Sequence, residues 1–136
     1  GGAEAEEAEE AEVVFAPNLR RPELLLLLGR AQVGLHTMWN EHFGIGVVEL
    51  MAAGVPPVAH ASGGPLLDIV KPRGEVGLLA ATEGEYTEAL AQLTLAPHAA
   101  QRRAAMAAAA RESVATRFSD EAFAQAFCAE AGRLLA

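Results

Sequence analysis

Residues 40–54 read Asn40-Glu41-His42-Phe43-Gly44-Ile45-Gly46-Val47-Val48-Glu49-Leu50-Met51-Ala52-Ala53-Gly54. Two carboxylates, Glu41 and Glu49, stand with seven residues between them around a Gly44-Ile45-Gly46 turn. The glycines remove side chains that would hold a ligand away from the backbone. Gly46 to Ala53 has the spacing of a helix, with Val47, Leu50 and Met51 on one side and Gly54 as its C-terminal stop. One acid therefore precedes a helix start and the other lies about one turn inside it. Free amides at such a start attract phosphate, and a carboxylate accepts hydroxyl protons through two oxygens. This is the equipment of a sugar-nucleotide site.

Working outward, β-like runs alternate with helical segments. Glu12–Ala16 is a short apolar run ended by Pro17-Asn18, and Pro22 opens a helix over Glu23–Arg30. Ala31–Leu35, Pro57–His60 and Gly77–Ala80 read as further strands. The loop His36–Gly44 follows one strand, and the tight loop Ala61–Pro65 follows another, with a short helix over Leu66–Val70. Helices are expected over Glu85–Leu95, Ala99–Thr116 and Asp120–Leu135, the last capped by Ser119. The alternation predicts an α/β fold with a parallel sheet, whose ligands lie beyond the carboxyl ends of the strands. The loops at 36–44 and 61–65 occupy that edge.

Bulk properties narrow the class. At 136 residues with 51% hydrophobic content, the chain supports one modest packed domain. The net charge of −8 owes much to residues 1–12, an acidic Ala/Glu low-complexity tail with six glutamates and no base. The body, 13–136, is close to neutral, and no basic stripe points to nucleic acid. A single cysteine, Cys128, excludes an internal disulfide. The leucine run Leu24–Leu28 is far too short to span a bilayer. A soluble body without a secretory signal is expected.

The stretch from Gly34 to Val70 carries more specific information. Its strings His36-Thr37-Met38-Trp39-Asn40-Glu41-His42-Phe43-Gly44-Ile45-Gly46 and His60-Ala61-Ser62-Gly63-Gly64-Pro65 resemble retaining glycosyltransferases of the GT-B fold, family 4. Within them the likeness is to the branch that adds α-1,2-linked mannose from GDP-mannose to a dolichol-linked oligosaccharide in asparagine-linked glycosylation. The resemblance continues more weakly through Arg117-Phe118-Ser119-Asp120 to about Phe127, and leaves out residues 1–12. It implies a partial Rossmann-like sheet, the C-terminal donor-binding half of a two-domain enzyme. It assigns Glu41, the first acidic residue of the motif, to the donor sugar as a catalytic residue and Glu49 to the nucleotide ribose. His42, Phe43, Gly44, Ile45, Gly46 and Val47 form the segment around the sugar and pyrophosphate. Gly63 and Gly64 match a glycine loop beside the site, although a simple turn before Pro65 reads equally well. No metal and no cofactor are implied.

The same likeness implies partners outside these residues: an N-terminal acceptor-binding domain, basic phosphate ligands early in the second domain, and membrane-associated segments at the cytosolic face of the endoplasmic reticulum. Residues 1–136 alone are therefore expected to be soluble and to transfer no sugar. Two other readings remain open, a family 4 enzyme with another nucleotide-sugar donor and a non-catalytic α/β interaction domain keeping a relic motif. Among single residues, His36 reads as a local hydrogen-bonding group, His60 as structural and His98 as solvated. Trp39 reads as a buried loop anchor, Cys128 as core, and Asp68 as a helix cap or a partner of Arg73. The Ala-rich helix 99–116 is expected to leave an apolar patch where the N-terminal domain would pack.

Overall fold

The computed structural model describes residues 13–70 and 75–135. Three parallel strands, β1 (Gly34–His36), β2 (Pro57–His60) and β3 (Leu78–Ala80), form one sheet in the order β1-β2-β3. Helices α1 (Arg21–Arg30), α2 (Ile45–Ala53), α3 (Glu83–Thr94), α4 (Ala99–Arg117) and α5 (Asp120–Leu135) flank it. A π-helical turn covers Pro65–Ile69. This is the partial Rossmann-like parallel sheet the sequence implied. In the register, Leu35 lies opposite Val58, and Ala59 opposite Leu79.

β2 is the central strand, and Pro57, Val58 and Ala59 are all buried, as a parallel strand covered on both faces requires. Ala59 meets Val47, Val48 and Met51 of α2 together with Ile69, Val76 and Ala110. Val58 joins Ala80, Ala89, Leu93 and Met106 in a second cluster. Each fully buried Val, Leu, Ile or Met among them stabilises the fold by roughly 1.5–3 kcal/mol relative to exposure.

The helix ends explain where the elements stop. In α1, Pro22 sits in the first turn and the Glu23 carboxylate accepts from the Arg20 amide at 2.8 Å. α2 closes at Gly54, whose φ of 75° lets Val55 donate to the Leu50 carbonyl at 2.9 Å and Gly54 donate to that of Met51 at 3.0 Å. The Arg111 guanidinium lies where a Gly54 side chain would be and donates to the Ala53 carbonyl at 2.8 Å. Thr82 and Glu85 form a reciprocal capping box at α3, so the helix starts two residues before Glu85. Ser119 caps α5 by accepting from the Ala122 amide at 3.1 Å.

Several expectations are corrected. Val13, Val14 and Phe15 are exposed and lie outside the sheet, because a short apolar run gains nothing without a neighbouring strand. The second expected strand begins at Gly34 rather than Ala31, which makes His36 its last residue. Gly64 has helical backbone and leads into the π-helical turn, while Gly63, with a φ of 53°, makes the left-handed bend just before it. Trp39 is 73% exposed rather than a buried anchor, and Cys128 is exposed rather than core. α4 does not carry the open apolar face: Ala99, Met106, Ala107, Ala110 and Ser113 are buried, and it packs on α2 and α3. Exposed apolar side chains lie instead on α5, which buries none of its residues and exposes Phe123, Phe127, Leu134 and Leu135, and on α1, which also buries none and exposes Leu25, Leu26 and Leu27. Residues 1–12 and Arg73, and with it the Asp68 pairing, lie outside the described residues.

Candidate functional site

All three strands end at one edge, and the segments that follow them meet there. The loop between β1 and α2 lies against the segment after β2. The Gly64 amide donates to the Glu41 carbonyl at 2.8 Å, and the Asn40 amide donates to Ser62 Oγ at 2.8 Å. A Cβ on Gly63 would lie 2.1 Å from the Glu41 carbonyl oxygen, and one on Gly64 equally close to that of Phe43. Only glycine permits this backbone-to-backbone approach, and Gly63 also holds a φ of 53°. The Gly63-Gly64 pair thus brings the segment after β2 into backbone contact with residues 40–43.

The start of α2 is bare. Gly44 occupies its N-cap with φ 103° and supplies no side-chain cap. The first helical bond runs from the Val47 amide to the Gly44 carbonyl at 3.0 Å, so the Ile45 and Gly46 amides precede it. That end carries the positive pole of the helix dipole, unneutralised by any acid in the first turn. Beneath it, Gly44 packs on Pro65 and Ile69, where a Cβ would come within 3.2 Å and 3.3 Å. The His36 ring lies beside Gly46, and Nδ1 of this half-buried ring has no hydrogen-bond partner among the described residues. Its expected local hydrogen bond is made by its backbone instead, the carbonyl accepting from Tyr86 Oη at 3.2 Å.

The side chains divide into two groups. Glu41 is half-buried at the clamp, while His42, Phe43 and Ile45 are exposed along the rim. Phe43 meets Phe118 edge-on at 5.7 Å. Next to them an open groove of about 370 Å³ is lined by Ile45, Val48, Phe118, Phe123 and Ala126. Val47 is fully buried and its amide already donates to the Gly44 carbonyl, so it adds no free donor at the α2 start. Glu49 is not at the clamp. It lies on the exposed flank of α2 facing α1, 3.8 Å from Arg21 Nη1, over a smaller groove of about 220 Å³ lined by Leu24, Leu25 and Leu28.

Three neighbours were not singled out from the sequence. Ser62 joins the Asn40 amide to His60, whose Nδ1 is 2.8 Å from Ser62 Oγ. Glu85 accepts from the amides of Ala81 at 2.6 Å and Thr82 at 3.0 Å. Those two bonds, the Ala81 amide first, hold its carboxyl below the ordinary value. The Thr82-x-x-Glu85 spacing signalled this cap. Arg117 rests its guanidinium over Phe118, 4.7 Å from the ring centroid, and donates to the carbonyls of Asp68 and Ile69, closing the π-helical turn.

Comparison with known proteins places this arrangement in a family. The family model described as "Glycosyl transferases group 1" matches residues 3–113. The chain is 48% identical over 124 residues to the GDP-Man:Man(3)GlcNAc(2)-PP-Dol alpha-1,2-mannosyltransferase of Homo sapiens, covering 90% of this chain and 25% of that protein. The protein of that name from Mus musculus is 47% identical over 125 residues, covering 90% of this chain and 25% of that protein. The one from Dictyostelium discoideum is 56% identical over 79 residues, 58% of this chain and 15% of that protein. The chain spans about a quarter of the length of the first two relatives. With the family match running from before α1 into α4, across both clamp segments, the chain belongs to the group 1 glycosyl transferases.

Proposed function

We propose that residues 13–136 form the donor-binding part of a retaining α-1,2-mannosyltransferase that moves mannose from GDP-mannose to a dolichol-pyrophosphate-linked oligosaccharide. The observation that carries this reading is the uncapped α2 start beside Glu41, clamped by Gly63 and Gly64. The names of the relatives, which state that linkage and a dolichol-linked acceptor, support the choice of donor and acceptor.

In this reading the pyrophosphate lies at the Gly44–Val47 backbone, where preorganised amides stabilise the charge that grows on the departing GDP. Glu41 takes hydroxyl protons of the mannose and offsets positive charge developing at the anomeric carbon. His42, Phe43 and Ile45 border the sugar. Glu49 takes the vicinal ribose hydroxyls through both carboxylate oxygens. The acceptor hydroxyl attacks from the face that GDP leaves, through an oxocarbenium-like state, which retains configuration. Residues 1–136 bind donor without transferring it, because acceptor contacts and the basic phosphate ligands belong to other parts of a longer enzyme. That enzyme works at the cytosolic face of the endoplasmic reticulum membrane. No helix among the described residues is long and apolar enough to cross a bilayer, so in this reading membrane contact runs through other segments.

The test is a titration of GDP, GDP-mannose and UDP-glucose against the full-length enzyme, with linkage analysis of the product. Tight GDP and GDP-mannose binding with an α-1,2-mannosyl product is expected. Preference for UDP-glucose assigns another donor, and binding of none of the three leaves a non-catalytic interaction domain.

A further inference from the structure

We propose that Ser62, aligned by His60, is a positioning residue for Glu41. His60 is the last residue of β2, and its Nδ1 lies 2.8 Å from Ser62 Oγ. The same oxygen accepts from the Asn40 amide at 2.8 Å. Two residues further along the clamp, the Gly64 amide holds the Glu41 carbonyl at 2.8 Å. The Asn40-Glu41 dipeptide is therefore pinned at its N–H end and at its C=O end by one short segment, residues 62–64. Asn40 holds a φ of 55°, in the left-handed region that asparagine enters more readily than most side chains, and the Ser62 bond fixes its amide there.

Ser62 Oγ accepts the Asn40 N–H through one lone pair and shares a proton with His60 Nδ1, in the direction that the imidazole tautomer sets. Either way the hydroxyl is held from two sides, and its orientation is set by a residue at the end of a strand rather than by a loop. Removing it frees the Asn40 amide while leaving the Gly64–Glu41 bond, so Glu41 stays near the site but loses one of its two anchors. A carboxylate that must meet a transition state tolerates little displacement, since an error of about 1 Å can cost about 100-fold in rate.

This inference rests on the reading of Glu41 as the residue at the donor sugar. The experiment uses the full-length enzyme with Ser62→Ala, Ser62→Thr, Glu41→Gln and the Ser62→Ala/Glu41→Gln pair, following kcat, donor KM and thermal unfolding. Ser62→Ala is expected to lower kcat by about 10-fold to 100-fold with donor KM changed by less than about threefold. Ser62→Thr, which keeps the hydroxyl, restores most of kcat. In the Glu41→Gln background Ser62→Ala causes no further loss, because the side chain it positions is already disabled. An equal fall in both backgrounds, or no fall in the wild type, overturns the proposal. Full activity in Glu41→Gln overturns the underlying assignment of Glu41, whatever Ser62 does. Where Ser62→Ala does not fold, His60→Phe keeps the hydroxyl and removes its ring partner. It must lower kcat in the wild type and leave the Glu41→Gln rate unchanged, and failure on either count sinks the link.

Discussion

The Gly64 amide and the Glu41 carbonyl are joined by a 2.8 Å hydrogen bond, and no atom larger than hydrogen fits on Gly64 at that approach. Its added Cβ would lie 2.1 Å from the Phe43 carbonyl oxygen and 2.6 Å from the Phe43 Cα. These are backbone atoms, so no side chain can swing aside. Gly64→Ala is expected to destabilise the domain by about 1–3 kcal/mol through overpacking, read as a lower urea midpoint. It should also lower transfer activity in the full-length enzyme, because the loop carrying Glu41 has to retreat. Gly84→Ala is the control. Nothing lies within 4 Å of its added Cβ, and Gly84 sits inside α3. There alanine should stabilise by about 0.5–1 kcal/mol. A Gly64→Ala midpoint at or above the wild type would show that the two loops separate at little cost.

That pairing of loops also marks how far the sequence could be read. α2, its Gly54 stop and β2 were legible because a 3.6-residue pattern ends at a glycine and a short apolar run follows a proline pair. The clamp itself was not, since nothing in Ala61–Pro65 announces which carbonyl will lie against Gly64. Ser62 went unnoticed for the same reason: a serine after a strand is common, and its partners are 2 and 22 residues away. Trp39 and Cys128 were misread because residue type reports burial only on average. Both sit on surfaces that no described element covers, and coverage is a tertiary fact. Glu49 was placed correctly in α2, but the period alone did not reveal that its flank faces α1 and Arg21.

The core predicts a sharp contrast in mutational cost. Met51 is fully buried between α2 and the sheet, among Val47, Ala59 and Ile69. Met51→Ala removes those contacts and leaves a cavity, for an expected loss of about 2–5 kcal/mol. Phe127 is 63% exposed and stacks only on Phe123, with ring centroids 6.0 Å apart. Phe127→Ala is expected to change stability by less than about 0.5 kcal/mol. Urea denaturation of both variants tests the pair, and comparable losses would mean that α5 is packed more tightly than its exposure indicates.

Acid should expose the cap of α3. The Glu85 carboxylate accepts from the Ala81 and Thr82 amides, chiefly the first, and its pKa is lowered from 4.5. A group whose folded-state pKa is depressed adds stability above its unfolded pKa and loses it as pH falls through the folded value. The loss therefore belongs to the window below 4.5. Glu85→Gln keeps an acceptor but no charge, so its stability should fall less steeply than the wild type's across that window. Urea midpoints measured from neutral pH down to acid decide this, and parallel curves for the two proteins would remove Glu85 from the pH dependence.

Glu49 allows ligand binding to be separated from stability. Its only described partner is Arg21, at 3.8 Å, and the two side chains are 49% and 76% exposed. An exposed pair with that geometry contributes at most about 1 kcal/mol, so Glu49→Ala should leave the unfolding midpoint nearly unchanged. If Glu49 holds the ribose, the same substitution removes two hydroxyl contacts. GDP affinity in the full-length enzyme should then fall about tenfold, equivalent to about 1.4 kcal/mol. Arg21→Ala distinguishes the alternatives further. It should release Glu49 from its only competing partner and leave GDP binding intact or slightly tighter. Calorimetric titration of GDP against the three proteins reads all of this directly. Unchanged GDP affinity in Glu49→Ala would move the ribose away from the flank of α2 and leave Glu49 as half of a surface ion pair with α1.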